Sequence, residues 1–185
     1  VVIYYFLAKA YFPSWLFFIP YDIKVYFDSS SWLLGDGKLY IDVPSEYPLF
    51  ANLIFAFCRF ISFPLSSILG DLNSFYFTWS FVGISAWLIT IKAAKNYILN
   101  NKIIKLCWLL PAIILFSISR FDIYPVLFFA LSFISLKKGR LYLAAILIGI
   151  SISLKGYSLF TLPSVLYFLY ENYGMRRSIY FALIS

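Results

Sequence analysis

The apolar positions of this chain fall into long runs separated by short charged breaks. Residues 74–91 form one uncharged stretch ending at Lys92, long enough for a membrane-spanning helix. Residues 106–119 and 123–136 flank Arg120-Phe121-Asp122, and residues 141–154 and 157–170 flank Lys155-Gly156, so two similar hairpins are expected. Helices this short cover about 21 Å, against a hydrocarbon core of ~30 Å. Flanking lysines reach the surface by snorkelling, which leaves Arg120, Asp122 and Lys155 recessed at the opposite end. Residues 1–8 read as the end of a first transmembrane helix, and 9–20, broken by Pro13 and Pro20, as an interfacial stretch. Residues 21–46 are the most polar part and carry the loop signal Gly35-Asp36-Gly37-Lys38.

Residues 47–66 are apolar enough to span, but Asn52, Arg59, Ser62 and Ser66 fall on one narrow helical face. A single polar stripe with a snorkelling arginine suits a helix lying in the interface plane. The charges agree with that placement. Most of the eight acids lie between Asp22 and Asp71. The cations gather as Lys92, Lys95, Lys102 and Lys105, then Lys137, Lys138 and Arg140, then Arg176 and Arg177. Basic short loops stay cytoplasmic. With 47–66 as a juxtamembrane helix, the acidic loop is outside, 92–105 inside, 120–122 outside, 137–140 inside, 155–156 outside and 171–177 inside.

Composition narrows the class. Of 185 residues, 63% are hydrophobic and 23% aromatic, and only 12% are charged. One soluble core of this size could not bury so much apolar surface. The expected fold is therefore all-α: a polytopic transmembrane helix bundle with a juxtamembrane helix in its first outer loop. It reads as a single, incomplete domain over 1–185, with an extracytoplasmic loop at 21–73 and transmembrane helices in 74–185. Both ends lie inside apolar runs, so a longer protein is expected. The net charge of +7 is spread in short clusters between apolar spans, which does not suit nucleic acid. Histidine is absent, which excludes histidine-based metal sites and triads. Cys58 and Cys107 sit inside apolar runs and read as small buried hydrophobes.

The outer face then carries the carboxylates Asp22, Asp28, Asp36, Asp42 and Glu46, the recessed cations Arg120 and Lys155, and Tyr21, Tyr26, Tyr40, Tyr47, Tyr124 and Tyr157. Recessed charge needs a partner or a water-filled cavity. Two readings stand: Arg–Asp or Asp–Lys pairs that hold the hairpins together, or a functional polar cavity. Cations reachable from lipid suit a lipid-linked phosphate. A carboxylate on the water side suits a general base. Together they suit sugar transfer from a polyprenyl phosphate to a hydroxyl, because the departing phosphate needs cations more than a general acid.

The order of residues resembles the membrane-embedded class C glycosyltransferases, above all the polyprenol-phosphate-mannose-dependent mannosyltransferase-like family of prokaryotes. The matching stretches are Tyr21-Asp22-Ile23-Lys24-Val25-Tyr26-Phe27; Gly37-Lys38-Leu39-Tyr40-Ile41-Asp42 followed by Glu46-Tyr47-Pro48-Leu49; and Arg120-Phe121-Asp122, Lys137-Lys138-Gly139-Arg140, Gly149 and Lys155-Gly156-Tyr157. The resemblance covers about residues 1–175. It implies Asp22 as catalytic base of an inverting, single-displacement transfer of a sugar, mannose by the family. It implies substrate contacts at Asp42, Glu46, Tyr47, Arg120, Asp122, Lys155 and Tyr157. The expected partners are a polyprenyl-phosphate sugar donor, a lipid or glycan acceptor and the bilayer, with the site extracytoplasmic in the cell membrane. Lys24 stands where some relatives have a second Asp, so no metal or other cofactor is expected. Leu49 and Ser158 replace family prolines. A transporter or lipid flippase with an intramembrane Arg/Asp/Lys pathway is the alternative, though it would more often show inverted repeats and broken helices. A non-catalytic membrane subunit is a third.

Overall fold

The computed structural model describes residues 19–35, 37–94 and 110–185. Among them, every regular element is helical apart from an isolated bridge between Leu39 and Val43. The helices are α1 (Ile19–Ser29), α2 (Leu49–Leu69), α3 (Asp71–Ala94), α4 (Pro111–Ser119), α5 (Ile123–Lys137), α6 (Leu141–Leu154), α7 (Leu162–Tyr173) and α8 (Met175–Ile184). Short 3-10 turns occupy Ser31–Leu34 and Gly156–Thr161. The expected segment 1–18 and the run 106–109 lie outside the described residues, as do Asp36, Lys95, Lys102, Lys105 and Cys107.

Two helices, α2 and α3, are long and apolar enough to cross a membrane. They meet where Phe55 packs on Trp79 and where Arg59, further along α2, reaches Asp71 at the start of α3. The polar stripe of α2 faces the protein. Asn52 and Ser62 are buried, and the guanidinium of Arg59 lies 3.7 Å over the Phe27 ring. The opposite face, with Phe50, Leu53, Phe57 and Phe60, is exposed and apolar. Packing is thus the cause of the stripe: the Arg59 side chain keeps only 11% of its exposure, so it does not snorkel as the sequence led one to expect.

The α5–α6 pair is a regular antiparallel hairpin. The Ser132 hydroxyl donates to the Ala144 carbonyl at 2.8 Å, and the Ser151 hydroxyl donates to the Pro125 carbonyl at 2.7 Å. Gly139, at φ 71°, supplies the left-handed turn between the helices, a conformation costly for other residues. Continuing the same register outward places Asp122 opposite Lys155. The chain bends by 109° between α4 and α5, at Arg120-Phe121-Asp122. At Gly83 a side chain would come within 2.2 Å of the Ser117 carbonyl, so α3 and α4 touch through backbone there.

Two differences from the sequence reading stand out. The polar stretch 21–46 contains α1, because Ile23 and Tyr26 share one helical face and are both buried. The run 157–170 is divided: a 3-10 turn precedes α7, whose first turn holds Pro163, a residue suited to a helix start.

Candidate functional site

Four helix ends meet around two ion pairs. Asp22 lies in the first turn of α1, and Arg120 directly follows α4. The Arg120 guanidinium donates to the Asp22 carboxylate at 2.7 Å. The Asp22 side chain keeps 21% of its exposure and that of Arg120 45%. Asp122 precedes α5, and Lys155 follows α6 on extended backbone. Their ammonium–carboxylate contact is 2.5 Å, with both side chains nearly half exposed. Each expected cation therefore holds a carboxylate, so the four charges cancel. Both pairs stay open to whatever adjoins them.

Tyr157 joins the second pair. Its hydroxyl donates to the Asp122 carbonyl at 3.3 Å, and the Lys155 ammonium stands 5.9 Å from its ring centre. Burial pushes the phenol up to about 12, and the Asp122 charge adds to the rise. Tyr157 is thus a hydrogen-bond donor through the physiological range.

An aromatic layer links the first loop to these pairs. Tyr26, one helical turn beyond Asp22, stacks on Phe55 at 4.7 Å and meets Tyr47 edge-on at 5.4 Å. Tyr47 in turn meets Phe121 at 6.0 Å, between Arg120 and Asp122. Burial, then Tyr47 and Asp22, raise the Tyr26 phenol well above the ordinary range. Tyr26 thus stays a neutral hydroxyl under the ion pairs.

Asn52 holds the loop in place. Its amide donates to the carbonyls of Tyr47 at 2.8 Å and Pro48 at 3.2 Å and to the Tyr40 hydroxyl at 3.2 Å, while its oxygen accepts from Ser45 at 2.9 Å. A buried amide with so many partners fixes one conformation. Asp42 closes its own turn: its carboxylate accepts the Lys38 N–H at 2.8 Å and fills the space where Gly37 lacks a Cβ. Glu46 is exposed, and neither Asp42 nor Glu46 joins the two ion pairs.

The structure thus brings Asp22, Tyr47, Arg120, Asp122, Lys155 and Tyr157 to one place, and leaves Asp42 and Glu46 on the loop above. Sequence reasoning placed Asn52 on a stripe but missed its role in ordering the loop. It also missed Ser151, whose hydroxyl lies 2.7 Å from that of Ser158 and so ties α6 to the turn carrying Tyr157. Ser158 is the position where the resemblance expects proline. Among the described residues, no three carboxylates or thiols gather as a metal-ligand group. Comparison with protein families, with curated proteins and with solved structures returns no match.

Proposed function

We propose that this chain is part of a polytopic, membrane-embedded glycosyltransferase. In this reading it moves a sugar, mannose by the resemblance, from a polyprenyl phosphate to an acceptor hydroxyl on the extracytoplasmic side. One observation carries it: three separate sequence stretches, around Asp22, Tyr47 and Arg120–Asp122, converge on one cluster with Lys155. The Asp22 carboxylate takes the acceptor proton as the acceptor oxygen bonds to the anomeric carbon. The bond from that carbon to the phosphate oxygen breaks, and configuration inverts. The released polyprenyl phosphate keeps the electron pair and rests against Arg120 and Lys155. A guanidinium has five N–H groups, so Arg120 can hold Asp22 and still reach a phosphate oxygen.

The Arg59–Asp71 contact supports the juxtamembrane placement of α2. Arg59 lies midway along α2, and the Asp71 side chain that meets it at 3.5 Å is 64% exposed. Were α2 upright in the bilayer, it would hold an exposed carboxylate near the midplane, a costly position. Lying flat, the Asp71 carboxylate stays at the surface and Arg59 meets it from the protein side.

A transport reading has one observation in its favour, the 109° break at Arg120–Asp122. The deciding experiment reconstitutes the purified chain with labelled polyprenyl-phosphate mannose and hydroxyl acceptors. Glycosyl transfer is expected with one polyprenyl phosphate released per sugar moved. Movement of intact donor across the vesicle without transfer would replace the enzyme reading with the transport one.

A further inference from the structure

The far end of the α5–α6 hairpin holds a second feature. A groove of about 580 Å³ opens between the start of α6 and α8. Its walls carry Arg140 and Tyr142 from α6's first turn and its flank, and Arg177, Tyr180, Phe181 and Ile184 from α8. Arg140 and Arg177 belong to two basic clusters separated in sequence, yet they line the same space. Neither enters an ion pair among the described residues, in contrast to Arg59, Arg120 and Lys155. No acidic residue lines the groove. The remaining walls are apolar and continue onto exposed Ile179 and Leu183 of α8.

We propose that this groove binds an acidic phospholipid, its phosphate held between Arg140 and Arg177 and the start of an acyl chain against Phe181 and Ile184. The charge argument selects the headgroup: two guanidinium forks without a carboxylate complement an anion with several acceptor oxygens. The apolar continuation selects a lipid over a free anion, which would leave those walls unused. Tyr142 and Tyr180 provide rings with polar tips, a chemistry suited to headgroup depth. A volume of about 580 Å³ admits a headgroup and the first part of one chain, with the remainder in the bilayer. The site lies at the opposite end of the hairpin from Asp122–Lys155, so it is separate from the proposed transfer site.

Native mass spectrometry of the full chain in detergent tests this, with phosphatidylglycerol or phosphatidylcholine added at equal concentration. Two cations at the usual worth of surface arginines give a preference of about thirtyfold for phosphatidylglycerol. The double variant Arg140→Gln/Arg177→Gln is expected to fall to the phosphatidylcholine level, and Lys92→Gln to behave as the parent. Equal retention of the two lipids by the parent overturns the proposal even if the double variant fails to fold. So does undiminished phosphatidylglycerol binding by a folded double variant. Displacement of the lipid by glycerol phosphate at a matching concentration would overturn the lipid assignment in favour of a free anion.

Discussion

The Asp22 carboxylate and the Arg120 guanidinium meet at 2.7 Å, although α2, α3 and α4 all lie between them in the chain. This contact ties the start of α1 to the break between α4 and α5. With Arg120 nearly half exposed, such a pair is worth little to stability, about 1 kcal/mol or less. In the proposed transfer its value lies in general-base chemistry. Asp22→Asn keeps the size and a hydrogen-bond acceptor for Arg120 but loses the base. We expect a small shift in unfolding temperature and a fall in turnover of about 10²–10⁴. Full turnover by a folded Asp22→Asn protein removes Asp22 as base and passes the role to Asp42 or Glu46 on the loop above.

The second pair separates a structural from a functional role more sharply. A fully buried Asp122 would destabilise the protein when its partner is removed, by about 3–5 kcal/mol. Asp122 is 43% exposed, so water can replace the ammonium. Lys155→Ala is therefore expected to fold with a near-parental melting temperature. Its transfer rate should drop by the equivalent of about 2–4 kcal/mol, the worth of one donor to developing charge. Lys155→Arg should recover part of it, because the fork sits differently from a point charge. A collapse in folded yield for Lys155→Ala, with no loss of rate per folded molecule, would make the pair a structural pin.

Tyr157 gives a pH-dependent signature. Its folded phenol is raised to about 12, above the unfolded value of ~10. The folded state thus holds the proton more tightly than the unfolded state. The associated stability is complete below about pH 10 and is lost as pH climbs from there through 12. Subtracting the alkaline phenolate titration of Tyr157→Phe from that of the parent isolates this group. We expect the difference to rise near pH 12. A difference centred at pH 10 would mean that Tyr157 is not buried against Asp122.

Much of this architecture was legible because charged residues mark the helix ends. The run 141–154 became α6 with the same limits, since Arg140 and Lys155 bound it on both sides. The run 74–91 lengthened to Asp71–Ala94 because the polar residues at its start extend the first turn without disturbing the buried face. Helix α1 was hidden among polar residues: Tyr26 packs on Tyr47, Phe55 and Trp79, and Phe27 on Phe75 and Arg59, all of which come from later in the chain. The same limit applies to the site. Asp122 facing Lys155 follows from hairpin register and local spacing. Asp22 facing Arg120 does not, because that pairing depends on how α1 docks across the aromatic layer. Asn52 is intermediate, since its place on α2 was readable but its four hydrogen-bond partners were not.

The placement of α2 can be tested directly through Arg59 and Asp71. Length and composition admit a span, and a 21-residue helix matches the hydrocarbon thickness. The ion pair argues otherwise. Asp71 opens α3 while contacting the middle of α2, so the centre of α2 shares the depth of α3's first turn. In the juxtamembrane reading α3 crosses the bilayer from that point and α2 lies along the surface, with Phe57 and Phe60 dipping into lipid. Single cysteines at the exposed positions Lys38 and Asn73, in a Cys58→Ala/Cys107→Ala background, bracket the helix. Both should react with a membrane-impermeant thiol reagent from the same, outer side. Labelling of Lys38→Cys from outside and of Asn73→Cys only from inside would show that α2 crosses. The four lysines at and beyond the end of α3, Lys92, Lys95, Lys102 and Lys105, would then return to the outer face, against the charge rule that set the rest of the arrangement.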